Sequence, residues 1–579
     1  MRLPKLRELQ ASRQMVDTFR GYNHNLRISD GEFFDMKNMT SDYYPVLSPR
    51  KKRGVYASPE SPNGMIAKDA LCYVDGSNFV INEYPVDMGL NNDPKQLISM
   101  GAYVIIMPDK KWINTLDVTE FGNIEASYTS TSDVTFSLCT VDGADYENMT
   151  VDAEEPSEPE NMDLWIDISS KPHTLKQYSS TSSMWVQIAT TYIKISCTGI
   201  GKAFNLYDGV TISGIVSEGL QDLNASMVIW AKGDDYIVVV GLLDNVTEQT
   251  VEEGVIKVER KMPNLDFITE SENRLWGCKY GVAANGEVVN EIYASKLGDF
   301  KNWNCFMGLA TDSYAASCGT DGQFTGAITH MGYPLFFKEN CVHKVYGNYP
   351  ANFQIQTTAC RGVQKGCQNS LAIVNEVLYY KARNSICAYD GSLPTEASYA
   401  LGNEAYSEAV GGGHGNKYYV SMKDVTGNCN MFVYDTAKGM WHKEDDFHAE
   451  SFCSCRNELY AISNGDIITM LGSGDDYEGD LEWMVQTGEI GISSPDMKYI
   501  SRLTVRMAMD IGSEVRFYAQ YDFSDAWEQL FTLRSDNLRS FSIPIRPKRC
   551  DHMKIRIEGM GMAKIYSITK TIEQGSELS

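Results

Sequence analysis

Four groups of residues have the types and spacing that site chemistry uses. His442-Lys443-Glu444-Asp445-Asp446-Phe447-His448 gathers two imidazoles and three carboxylates within seven residues, donors that zinc or calcium accept. Its plainer reading, adopted here, is an exposed acidic loop. Gly411-Gly412-Gly413-His414-Gly415 suggests a phosphate cradle, but no strand-loop-helix context or following Lys-Ser/Thr accompanies it, so a flexible turn is expected. Arg50-Lys51-Lys52-Arg53 places four positive charges in succession, suited to an acidic neighbouring subunit, to plain solvated surface or to DNA phosphate; the subunit contact is preferred. The 14 cysteines are scattered, Cys453 and Cys455 being the close pair. Zinc and redox motifs use CxxC pairs, which the sequence lacks, so free thiols packed as small core residues are expected. Carboxylates are too numerous for sequence spacing to pick out an acid/base pair, which needs a defined separation in space. The expectation is a chain with no catalytic, cofactor-binding or metal-binding residue, and not an enzyme.

The elements that would carry these residues are read from composition and periodicity. The chain has 579 residues, 43% hydrophobic and 22% charged, a globular composition. Its 51 Lys and Arg against 76 Asp and Glu give a net charge of −25, which disfavours general clasping of nucleic acid. No run of about 18 apolar residues occurs, and the first twenty residues lack a signal-peptide stretch. A soluble protein made in the cytoplasm, with no membrane anchor, is expected.

Helix signals are confined to a short segment around residues 4–19. Elsewhere, runs rich in Val, Ile, Tyr and Phe alternate with Gly, Asn and Asp turns every 8 to 12 residues or so, the spacing of sandwiches, barrels and propellers. Six hairpin units share one plan, at 70–82, 97–114, 327–346, 371–389, 417–441 and 451–468. Such units bury both faces only by stacking, which predicts a β-propeller with aromatics as inter-blade core. The run Phe432-Val433-Tyr434-Asp435-Thr436 with Trp441 beyond it is similar to a kelch-type blade ending. The predicted fold is all-β. Residues 1–115 form an N-terminal segment and first blades, 116–261 an inserted β domain with a solvated acidic loop at 152–160, and 262–471 the remaining blades. A turn-rich linker then leads to a C-terminal β-sandwich of jelly-roll type over 481–573.

Several motifs carry a resemblance. Residues 21–54 contain G-x-N, then D-G-E-x-x-D-x-x-N-M over 30–39, then P-x-L-x-x-R-x-x-R-G over 45–54; later come Glu272-Asn273-Arg274-Leu275-Trp276-Gly277, the stretch from Ile292 to Trp303, and Lys338-Glu339. This succession resembles β-propeller structural proteins of bacteriophage tails and portal-proximal adaptors, the tail nozzle and packaged-DNA stabilisation proteins. It covers residues 19–56 and 265–470. The resemblance implies a virion structural protein of the tail, a homo-oligomeric ring that forms or closes the DNA exit channel. Its partners would be other tail or portal/adaptor proteins and genomic DNA passing without specific binding, with Arg50, Lys51, Lys52 and Arg53 at a subunit contact. An acidic bore would let the genome slide without sticking. The alternative is a tail-tip receptor-binding protein recognising a host-surface glycan. A propeller glycosidase is less favoured: sialidase-like S-x-D-x-G-x-x-W turns are missing, the nearest segment, 295–303, having the wrong spacing.

Overall fold

The structure, a computed structural model, describes residues 11–147, 149–241, 250–252, 255–282, 286–493, 496–522, 524–534 and 538–574. It is all-β: among the described residues the helices are short 3-10 turns. Part of the expected N-terminal helix, residues 4–10, lies outside the described residues. Ala11–Val16 is a strand, corrected from that expectation. Its polar residues are paired antiparallel with residues 568–573, and a partner strand overrides a weak helical preference.

The repeat is a four-stranded antiparallel sheet in simple up-and-down order, the blade of a β-propeller. Among the described residues seven such four-stranded units recur, over residues 62–87, 96–123, 267–317, 326–359, 372–396, 406–443, and 451–469 completed by Gly54–Ala57, the last two as parts of larger sheets. Central strands such as Tyr103–Met107 and Val377–Lys381 are largely buried on both faces and read as near-continuous apolar runs.

Two compact units partition the chain. One comprises residues 1–95, 337–342 and 358–579. In it the first strands of the 372–396, 406–443, 451–469 and 62–87 blades lie side by side in that order, so they are the inner strands. Inner strands at close approach explain the triple glycine: Gly411–Gly413 lie within the strand Tyr406–His414, not in a flexible turn as expected. A Cβ on Gly412 would stand 2.5 Å from the Phe452 Cβ of the next blade, and one on Gly413 2.8 Å from Val374 Cγ2 of the previous one. The 451–469 blade takes its outer strand from the other end of the chain, Ile468 pairing with Val55.

The same unit holds the C-terminal β-sandwich. One sheet has Lys498–Met509 between Ala563–Gln574 and Arg539–Ile543, with Ala11–Val16 at the edge. The other runs through Glu32–Lys37, Glu482–Thr487, Met553–Met560, Glu514–Tyr521 and Glu528–Leu533, and continues through Gly21–Tyr22 into the 406–443 blade, where Tyr22 pairs with Trp441. Period-two burial in Glu514–Tyr521 marks the half-buried pleat. The N-terminal segment is thus stitched into the sandwich and two blades.

The second unit comprises residues 96–336 and 343–357. Between its 96–123 and 267–317 blades, the strands from Ala126–Thr129 to Lys257–Arg260 form three further sheets. Their core is Val134, Phe136, Ile193, Ile195, Ile237 and Val258 with their neighbours. The stretch 153–160 is largely exposed. This inserted domain is tied to the following blade by a buried polar node: the Asn302 amide donates to Asp208 at 2.9 Å and accepts from Gly209 N–H at 2.9 Å, while Arg260 pairs with Asp208.

Candidate functional site

The basic run lies against the acidic run some 390 residues later, and the two form one buried cluster. Ser48–Pro49 pairs with Met39–Thr40 and delivers Arg50 inward, its backbone N–H bonded to Asn38 O. Arg50 forks onto both Glu478 oxygens at 2.7 Å and donates through Nε to Asn38 Oδ1 at 2.9 Å. Arg53 forks onto Asp445 at 2.7 and 2.8 Å, reaches Glu444 at 2.6 Å, and stacks over the Phe447 ring at 4.3 Å. Its backbone N–H also donates to Glu478, at 2.8 Å. Bidentate geometry of this kind is what makes a desolvated Arg–carboxylate pair tenable.

Exposure settles what the run can contact. Arg50 is 4% and Arg53 2% exposed, whereas Lys51 and Lys52 face solvent. The arginines are spent within their own chain, and of the four residues expected at a subunit contact Lys51 and Lys52 are the ones that reach the surface. Burial raises the Asp445 and Glu478 carboxyls, but the two guanidiniums outweigh it and hold both below their ordinary values. For Arg53, burial works against the charge and the surrounding carboxylates overcome it, raising its pKa.

The acidic segment differs from the exposed loop expected of it. His442 is buried in the strand Met440–Lys443, its pKa pushed down to about 3 by burial and then by Lys417, so it is neutral. Glu444 is 6% exposed and belongs to the clasp. Sequence spacing could not show this, because the partners of these carboxylates come from the other end of the chain. Among the described residues no three His, Cys, Asp or Glu are arranged to hold a metal ion.

Above the clasp opens a polar cleft lined by Thr40, Asp42, His414, Lys417, Asp435 and Lys438. Lys417 Nζ bonds Asp42 at 2.5 Å and Thr40 at 2.9 Å; Lys438 Nζ bonds Asp435 at 2.9 Å, and Ser41 Oγ donates to the same carboxylate. Lys417 is satisfied by a carboxylate of the 40–50 segment and Lys438 by one of its own turn. The arrangement fixes the 40–50 segment to the 406–443 blade. Asp435 also accepts the Lys438 N–H and shapes the turn before Trp441, whose indole donates to Ala397 O at 2.7 Å.

Other residues of the resembling motifs also work structurally. Arg274, 2% exposed, donates to the carbonyls of Ser295 and Ala310 at 2.8 and 2.7 Å and to Asp312 O, pinning the loop that follows its blade strands. Ser295 Oγ accepts the Leu275 N–H. The Asn302 node was missed as a functional pair with Asp208, since nothing in the spacing links a blade loop to an insertion nearly a hundred residues earlier.

No family model matches the chain, and no curated protein matches it. Among solved structures it is similar to an exo-β-1,3-galactanase from Phanerochaete chrysosporium, at 8% identity and a TM-score of 0.22, over 52% of this chain and 94% of that one. It is also similar to a glycoside hydrolase family 43 arabinoxylan arabinofuranohydrolase from Bacillus subtilis, at 8% identity and a TM-score of 0.18, over 52% and 94%. A third likeness is to the endosialidase of phage phi92, at 8% identity and a TM-score of 0.23, over 78% and 74%. The expectation that the chain is not an enzyme is corrected here: propellers to which it is similar are glycoside hydrolases, so this architecture gives no ground for excluding catalysis. TM-scores this low assign the chain neither a substrate nor a reaction.

Proposed function

We propose that this protein is a structural propeller of a bacteriophage tail, a ring component of nozzle or adaptor type that forms or closes the DNA exit channel. The observation that supports it is the fate of the motif P-x-L-x-x-R-x-x-R-G. It is one of the motifs resembling tail and portal-proximal propellers, and its two arginines form the buried clasp where the N-terminal segment meets the last blade. A clasp of this kind, with the N-terminal strand of Gly54–Ala57 completing that blade, resists opening of a propeller at its seam, as a conduit under the stress of genome passage requires.

Electron microscopy of the purified protein tests the reading. Closed rings, with the protein on the virion axis in labelled particles, are expected. Monomers, or peripheral trimers that bind host envelope glycan, would assign it to receptor recognition instead.

A further inference from the structure

The outer face of one sandwich sheet carries three arginines without partners. The strands Ala11–Val16, Ala563–Gln574, Lys498–Met509 and Arg539–Ile543 lie in that order, and their registers align Arg13 with Thr571 and Thr571 with Arg502 in one cross-strand row. Two residues further along, Met15, Thr569, Thr504 and Ser542 share a row, and Ser567, Arg506 and Ser540 the next. Because the side-chain period of a strand is two, these rows face one way. Leu503, Val505, Phe541 and Ile543 face the other way, into the core. Arg13, Arg502 and Arg506 are exposed, and among the described residues none has a carboxylate within ion-pair distance. Their neighbours on the face are mostly hydroxyls, with Glu573 taken by the Tyr499 hydroxyl at 2.6 Å.

This is a local reversal of the chain's charge. Residues 498–571 hold thirteen Lys and Arg against eight Asp and Glu, within a chain of net charge −25. The opposite feature is the stretch 152–160, where Asp152, Glu154, Glu155, Glu158 and Glu160 are all exposed and none is ion-paired.

We propose that the Arg13/Arg502/Arg506 face docks the acidic 152–160 loop of a second copy of this chain, making a head-to-tail contact between subunits. Head-to-tail contacts join different patches on each copy, and they close into rings when the rotation between copies permits. The inference rests on the ring reading above and names its interface. Charge complementarity is the argument for this occupant: at physiological salt the face senses charge within about 8 Å, and the 152–160 loop brings five exposed carboxylates into that range.

The test is charge reversal read by analytical ultracentrifugation and electron microscopy. Arg502→Glu with Arg506→Glu should weaken self-association about tenfold or more, and so should Glu154→Arg with Glu158→Arg. All four changes in one chain should restore it. Each variant should melt with the wild type, because all four side chains are exposed. Rings that persist in both double variants overturn the contact and leave the ring reading standing. A wild type that never assembles overturns the ring reading and this contact with it. Arginine-dependent retention of DNA by a protein whose assembly ignores the substitutions would assign the face to phosphate and overturn the proposal.

Discussion

Two guanidiniums and three carboxylates buried together cost a great deal of hydration, and they survive because nearly every polar atom is matched in bidentate geometry; Arg53 Nε is left without a partner. The cluster is therefore fragile toward loss of any one member. Arg53→Ala leaves Glu444, Asp445 and Glu478 short of a counter-charge, and the expected loss is about 3–5 kcal/mol in urea or thermal denaturation. Lys51→Ala and Lys52→Ala, in the same run but exposed, should change stability by under about 0.5 kcal/mol. The pH dependence has a definite sign. Asp445 and Glu478 titrate lower folded than unfolded, so their contribution is fully present above their ordinary values, 3.8 and 4.5, and declines as pH falls through the lower folded values. Denaturation midpoints should be insensitive to these two groups between pH 7 and pH 5 and fall below about pH 4. In Arg53→Ala that acid sensitivity should shrink; an unchanged acid profile would remove the clasp from the explanation.

At the level of elements, glycines and anchors decide how blades meet. Gly412→Val would force a side chain onto Phe452, against a contact of 2.5 Å already at the Cβ, and should destabilise by about 1–3 kcal/mol or more. Gly415→Ala, two residues past the glycine triplet in open space at φ +55°, should cost about 1–2 kcal/mol from backbone conformation alone. A thermal melt separates the two if Gly412→Val proves the worse. Asn302→Ala removes the bonds to Asp208 and to Gly209 N–H; faster amide exchange around Gly209–Ser213 is expected, with the strand Arg274–Val282 little affected. How far such elements were legible depended on whether their cause was local. Strand runs such as Tyr103–Met107 and turn dipeptides such as Asp75-Gly76 announce blades through period and turn chemistry. The triplet 411–413 reads as a loop because glycine's usual meaning is a turn, and its packing reason lies on neighbouring blades. Ala11–Val16 likewise looked helical, since its pairing partner lies at the other end of the sequence. The clasp was visible only as two unrelated charge runs, one interpreted as a subunit contact and the other as an exposed loop.

For the molecule as a whole, the N-terminal segment is the longest-range determinant. Ala11–Val16 edges one sandwich sheet, Gly21–Tyr22 and Glu32–Lys37 bridge the other sheet to the 406–443 blade, and Gly54–Ala57 completes the 451–469 blade. Leu47 exchanges backbone hydrogen bonds with Ile565 as well. One stretch of under fifty residues thus contributes to three large sheets besides the small Met39–Thr40/Ser48–Pro49 pair, and its loss would leave Ala563–Gln574, Met440–Lys443, Glu482–Thr487 and Asp466–Thr469 each short of a partner strand. Removing residues 1–17 should strip a single edge strand from a sheet that retains three others, leaving a folded protein with a lower melting temperature. Removing residues 1–57 also deletes the outer strand of the last blade, both clasp arginines and the bridge to the sandwich. Each loss exposes backbone donors and acceptors and leaves Glu444 and Glu478 without their cations. The expected outcome is not a trimmed propeller but aggregation or protease sensitivity throughout residues 358–574. Adding the peptide 1–57 in trans should recover part of the protected fold, because the determinants it carries are pairings and charges that need no covalent link. A deletion of 1–57 that stays soluble, with wild-type protection in the 451–469 blade, would show that the seam closes without them.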